Sequence, residues 1–154
     1  MFYRKSNNPK DILKGLQIDD PKILIPWDIN EDDFVDMFKN HNVARNSEKY
    51  CGIKNITVFG EINCNIVVEF DKTICKFSVS RNYPERYVFE DDYLIKSFNA
   101  FQIAIEKAFG KPTKKSKDET NFKNCEWDIG NKIKIYHFVM DRFGLGEYLR
   151  IEKI

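Results

Sequence analysis

The order of hydropathy patterns along this chain predicts an α+β fold: two α-β-β-β units whose mostly antiparallel sheet packs on one long central helix. Three observations carry it. A helix-period stretch after Asn30 is followed by three short alternating segments, and the same succession returns from Asp91. The connections between strand segments are short, which favours meanders, and no β-α-β order calls for a parallel crossover. The second helical stretch is apolar around most of its circumference, as a helix is when it is covered on more than one side. The pattern leaves open whether the strands make one sheet or two.

The first ten residues or so are a polar leader to a single domain spanning residues 1–154, and Asp11 to Leu16 suggests a turn or two of amphipathic helix. Lys22 to Trp27 is apolar but broken by Pro26, which cannot donate to a sheet ladder, so it is expected as an edge strand or an extended tether. Asn30 makes an N-cap for a helix from Glu31 to about Asn40, with Phe34, Met37, Phe38 and His41 at helical spacing. A polar loop then leads to a strand at Ile56 to Phe59, stopped by Gly60. Ile62, Cys64, Ile66, Val68 and Phe70 alternate with polar residues at period two. After Asp71-Lys72 the alternation resumes through Cys75, Phe77 and Val79, and Tyr83-Pro84 ends it.

The long helix is expected over Asp91 to Phe109. Its polar residues Asp92, Lys96, Asn99, Gln102 and Glu106 form one narrow stripe, and Gly110 and Pro112 stop it. Lys111 to Lys123 reads as a solvated loop. Gly130-Asn131 suits a tight hairpin between Trp127-Asp128-Ile129 and a strand from Lys132 to Val139. Glu147 to Ile154 forms the last strand. Gly144-Leu145-Gly146 before it is expected to be turn or bulge geometry, since no phosphate-binding helix start follows it.

Composition narrows function more by exclusion than by assignment. With 154 residues, 42% hydrophobic and 13 Phe, the chain builds a sizeable core without staples. Its 25 basic and 24 acidic residues leave a formal charge of +1 and no global field toward nucleic acid or an anionic membrane. No segment approaches a membrane span or a secretory leader, so a cytoplasmic protein is expected. Cys51, Cys64, Cys75 and Cys125 lack CxxC spacing and are expected as reduced, buried thiols.

No catalytic, metal or cofactor set emerges. The two histidines have ordinary explanations: His41 near a helix carbonyl end, and His137 on the inward parity of a strand with Ile133, Ile135 and Val139. Lys111, Lys114, Lys115 and Lys117 lack the interleaved aromatics of a nucleic-acid surface. Two acidic segments remain as candidate protein-docking residues: Asp32, Asp33 and Asp36 on the first helix, and Glu90, Asp91 and Asp92 at the start of the second. Tyr136 and Phe138, with Tyr148 beside Arg150, carry interface chemistry, although a second packed layer would bury them as core.

The C-terminal third, AFGKP followed by EWDIGNKIKIYHF and DRFGLGEYLRI, resembles small uncharacterised bacterial proteins of toxin-immunity type. The resemblance brings no site residues. It implies a non-catalytic protein, monomeric or weakly dimeric, that neutralises a cognate protein toxin by binding it, with a basic nuclease domain as one form of that partner. The alternative expectation is a small-ligand-binding protein or enzyme with a pocket between the long helix and the sheet, using His137 or an acidic residue.

Overall fold

The computed structural model describes residues 9–60, 62–81, 91–117, 123–141 and 145–154. A short 3-10 turn, Pro9–Leu13, leads into a hairpin of β1 (Gly15–Ile18) and β2 (Ile23–Pro26). Helix α1 (Glu31–Met37) precedes β3 (Ala44–Ser47), β4 (Tyr50–Val58), β5 (Ile62–Asp71) and β6 (Thr73–Arg81). Helix α2 (Asp91–Phe109) precedes β7 (Lys114–Lys117), β8 (Lys123–Ile129), β9 (Ile133–Asp141) and β10 (Leu145–Lys153). The last eight strands form one antiparallel sheet in the order β3-β4-β5-β6-β10-β9-β8-β7. Each half is a four-strand meander running from an edge to the centre. The halves join where β6 meets β10, with Phe77 opposite Ile151 and Val79 opposite Leu149.

This architecture corrects the α+β expectation. The chain is mostly β, and the sheet is not packed on one long central helix. Among its described side chains, α2 buries one stripe of Ser97, Phe98, Phe101, Ile105 and Ala108, while Ile103 on the other side is 57% exposed. The helix lies against β9 and β10. Over the first half, Phe34 of α1 meets Phe70 and Trp27, just past β2, meets Phe77, with ring centroids 5.7 and 4.9 Å apart. The composition of α2 overstated its burial because single exposed apolar residues cost little.

Each α-β-β-β unit also gains a fourth strand. β3 lies in the expected polar loop and β7 in the expected solvated loop, and all residues of both are exposed. A fully exposed edge strand has no alternation to read, since neither of its faces meets the core. β4 starts at Tyr50 and not Ile56, because a register shift between Ile53 and Ile56 breaks its period. Asn55 occupies that irregularity at φ 56°, a left-handed conformation that Asn tolerates. The expected helix at Asp11 to Leu16 is a 3-10 turn followed by a strand that already includes Leu16.

Other local signals map directly onto the structure. Asn30 caps α1, its Oδ1 accepting from the Asp33 backbone N–H at 2.8 Å. The helix stops at Met37, so His41 lies beyond it and packs edge-on against Phe38. Gly130 and Asn131 turn at φ 61° and 55°. Trp127 stays at 1% exposure because its indole N–H donates to the Gly110 carbonyl at 2.8 Å. The cysteines are free thiols, three of them buried as expected and Cys75 only half-buried, and burial pushes Cys51 up to about 11 and Cys64 to about 12. No helix among the described residues is long and apolar enough to cross a membrane. The Tyr83-Pro84 stop lies outside the described residues.

Candidate functional site

Strict alternation sorts the second half of the sheet into two faces. Cys125, Trp127, Ile129, Ile133, Ile135, His137, Val139, Leu149 and Ile151 point inward and are buried. The even-numbered residues between them point to the other side, where Tyr148 and Met140 are exposed and Tyr136, Phe138 and Arg150 half-buried. The register sets Phe138 opposite Tyr148 and Tyr136 opposite Arg150. The Phe138 and Tyr148 rings stack at 5.6 Å, and the Arg150 guanidinium lies 4.9 Å from the Tyr136 centroid and 5.8 Å from that of Phe138. Planar groups that brace one another lose little freedom when a partner covers them.

Gly146 belongs to this cluster. It is a strand residue of β10, which corrects its expected role in a turn. A Cβ there would come within 2.6 Å of the Tyr148 hydroxyl oxygen, so its missing side chain is the space in which that phenol lies. Gly144 is outside the described residues. The alternative of a second layer burying the aromatics does not arise among the described residues, since the buried residues of this half share the opposite parity.

Beneath α2 the inward face carries a polar network. His137 is fully buried, with Nδ1 at 2.6 Å from Gln102 Oε1 and Nε2 at 2.6 Å from Glu147 Oε2. Ser97 Oγ donates to Glu147 Oε1 at 3.0 Å, and Arg81 donates to Ser97 Oγ at 2.7 Å. The Phe98 ring stacks on the imidazole at 3.9 Å. Burial pushes the histidine pKa down, against the pull of Glu147 upward, so the neutral ring is the resting form. A neutral ring has one N–H. Donated from Nε2 to Glu147, it leaves Nδ1 as an acceptor, which calls for the Gln102 amide turned end for end, so that its NH2 group, buried without a partner as placed, faces the ring.

This network has the residue types of a hydrolase triad in the wrong order. A nucleophile must face the imidazole, whereas Ser97 hydrogen-bonds the carboxylate on the far side of the ring. His137, Glu147 and Ser97 are also at most 5% exposed. The arrangement is suited to holding α2 on the sheet. Sequence reasoning missed Glu147 as its partner, although Glu147 shares the parity of Leu149 and Ile151. Among the described residues no group of three or more His, Cys, Asp or Glu is placed to hold a metal ion.

The expected acidic residues lie elsewhere. Asp32, Asp33 and Asp36 are on α1, on the covered side of the sheet, away from the aromatic cluster. Arg45 of β3 reaches Asp32 at 2.7 Å and Glu31 at 3.1 Å, and Lys39 lies 3.7 Å from Asp36. The edge strand that sequence reading missed therefore supplies the cation that offsets this patch. Asp91 and Asp92 are the first residues of α2, and Glu90 lies outside the described residues.

No family profile and no curated protein sequence matches the chain. Among solved structures it is similar to a DUF4309 family protein, YjgB, from Bacillus subtilis, at 10% identity and a TM-score of 0.43, covering 82% of this chain and 80% of that one.

Proposed function

We propose that this chain is a non-catalytic protein-binding module of toxin-immunity type, which docks its partner on the outward face of β8, β9 and β10. The observation that carries the proposal is the braced cluster of Tyr136, Phe138, Tyr148 and Arg150 on a sheet face left open among the described residues. Aromatic and arginine side chains are the usual anchors of protein interfaces, and a stiff sheet presents them already ordered. The C-terminal resemblance to immunity proteins covers the same strands. In this proposal the partner is a protein toxin and the module acts in the cytoplasm, where its four free thiols stay reduced.

The charges on this face are largely paired within it, Lys134 with Glu126 and Arg150 with Glu152, each at 3.5 Å, and Lys76 pairs with Glu69 at 2.9 Å on the neighbouring strands β6 and β5. Shape and aromatic contact, more than net charge, then select the partner. Asp32, Asp33 and Asp36 remain candidates for steering a basic domain during encounter.

Calorimetry against the protein encoded next to this one, together with protection of cells from its toxicity, tests the proposal. A Tyr148→Ala, Arg150→Ala double variant is expected to weaken binding by roughly a hundredfold or more. Asp33→Asn with Asp36→Asn is expected to slow association only, by less than about tenfold. Loss of binding in the acidic variant with retention in the aromatic one would move the site to α1. No binding and no protection would end the immunity proposal.

A further inference from the structure

We propose a second site, independent of the protein-docking face: a groove between α2 and the β7–β8 edge that binds a small organic anion, a phosphate or carboxylate carried on an apolar or aromatic body. The groove has a volume of about 360 Å³ and lies where the helix layer stops short of the outermost strand. Phe98 and Cys125, both nearly fully buried, form its apolar floor. Lys115 and Lys117 of β7 and Lys123 of β8 rise around it.

The register explains why three ammonium groups gather there. Lys117 lies directly opposite Lys123, and Lys115 opposite Cys125, so all three share the parity of the inward face. Like charges opposed across a ladder repel, and none of the three has an ion pair among the described residues. Lys123 Nζ has only a long contact, 3.4 Å, to Asn99 Oδ1 across the groove. Lysines on an edge strand also discourage edge-to-edge aggregation. That role accounts for Lys114, Lys115 and Lys117, but not for Lys123, which sits on an internal strand and whose ammonium completes the group of three at the groove. An anion seated among the three relieves their repulsion while its body covers the Phe98 and Cys125 floor.

The experiment is a two-dimensional amide NMR titration of the full chain with phenyl phosphate and, separately, benzoate, with benzyl alcohol as the uncharged control. Saturable shifts are expected at residues 98–102, 115–117 and 123–125 with at least one of the two anions, weakening as salt is raised. The arm that binds tighter identifies the headgroup. Lys117→Ser with Lys123→Ser is expected to weaken binding at least about tenfold. Lys114→Ser, on the other face of the same edge strand, is expected to change it less than about twofold. Absence of saturation with both anions, equal binding of benzyl alcohol, or equal losses in Lys114→Ser and the double variant would overturn the site and leave the lysines as edge protection. Neither result bears on the outward face, since the groove lies on the opposite side of the sheet.

Discussion

The two meanders share one topology and differ in what they enclose and what they show. Under α1 and the β1–β2 hairpin, the first half has an interior of Cys51, Ile53, Ile56, Val58, Cys64, Ile66, Val68, Ile74 and Phe77, all at most 1% exposed. Under α2, the second half interrupts a similar interior with His137, Glu147 and Ser97. The outward faces differ in the reverse sense. The first presents Asn63, Asn65, Ser78 and Ser80 around the separate exposed side chains of Tyr50 and Val67, the second the contiguous cluster of Tyr136, Phe138, Tyr148 and Arg150. The same eight-strand frame thus carries two different interiors and two different outer faces. One half has an apolar interior and a mostly polar outer face, while the other sets a bonded polar network within its apolar interior and a braced aromatic cluster outside.

The comparison is broken most forcefully in the first half. Phe77→Ala removes a fully buried ring that meets Trp27 edge-on, and is expected to cost about 3–5 kcal/mol in urea unfolding. A cost near zero would mean that the Trp27–Phe77 packing does not hold the first half together. In the second half, Glu147→Ala leaves His137 and Ser97 each short of a buried partner, with an expected cost of about 3 kcal/mol. Glu147→Gln keeps the shape and should cost less; an equal cost would show that the carboxylate's charge matters more than its geometry.

A third prediction uses acidity to separate the halves. The buried ring of His137 titrates below its ordinary value of 6.5. Between that lowered value and about 6.5 the unfolded chain binds the extra proton, so stability falls as pH drops through this window. One proton limits the slope to about 1.4 kcal/mol per pH unit. His137→Gln should flatten this part of the stability-pH curve even if it lowers the whole curve, and an unchanged slope would assign the effect to other groups. The smallest effect is expected on the outer face. Tyr148→Ala should change stability by no more than about 0.5 kcal/mol, read in the same unfolding assay, because the side chain is exposed on the outer face.

Much of the first half was legible from pattern. Ile62 to Phe70 declared its strand because one face of β5 is core and the other is not. Asn30 declared a helix start because its side chain satisfies a backbone donor within three residues. The aromatic parity of Tyr136, Phe138 and Tyr148 was visible too, but whether a second layer covered it was not. The network beneath α2 was the least legible part, because its members stand as far as 50 residues apart in the chain. In sequence Lys115 and Lys117 read only as part of a basic loop with Lys111 and Lys114, and Lys123 joins them through strand register.

The sequence by itself determined the periodicities: which segments extend, where the caps and tight turns fall, and which parity of each strand is apolar. These are decided by interactions within a few residues. The tertiary structure alone decided that β6 and β10 pair, that α2 covers one half of the sheet, and that polar segments become the edge strands β3 and β7. Those outcomes depend on contacts between residues distant in sequence and on which faces remain to be covered. The separation of a bonded interior network from a braced aromatic exterior, and the gathering of three lysines at one groove, come from that assembly.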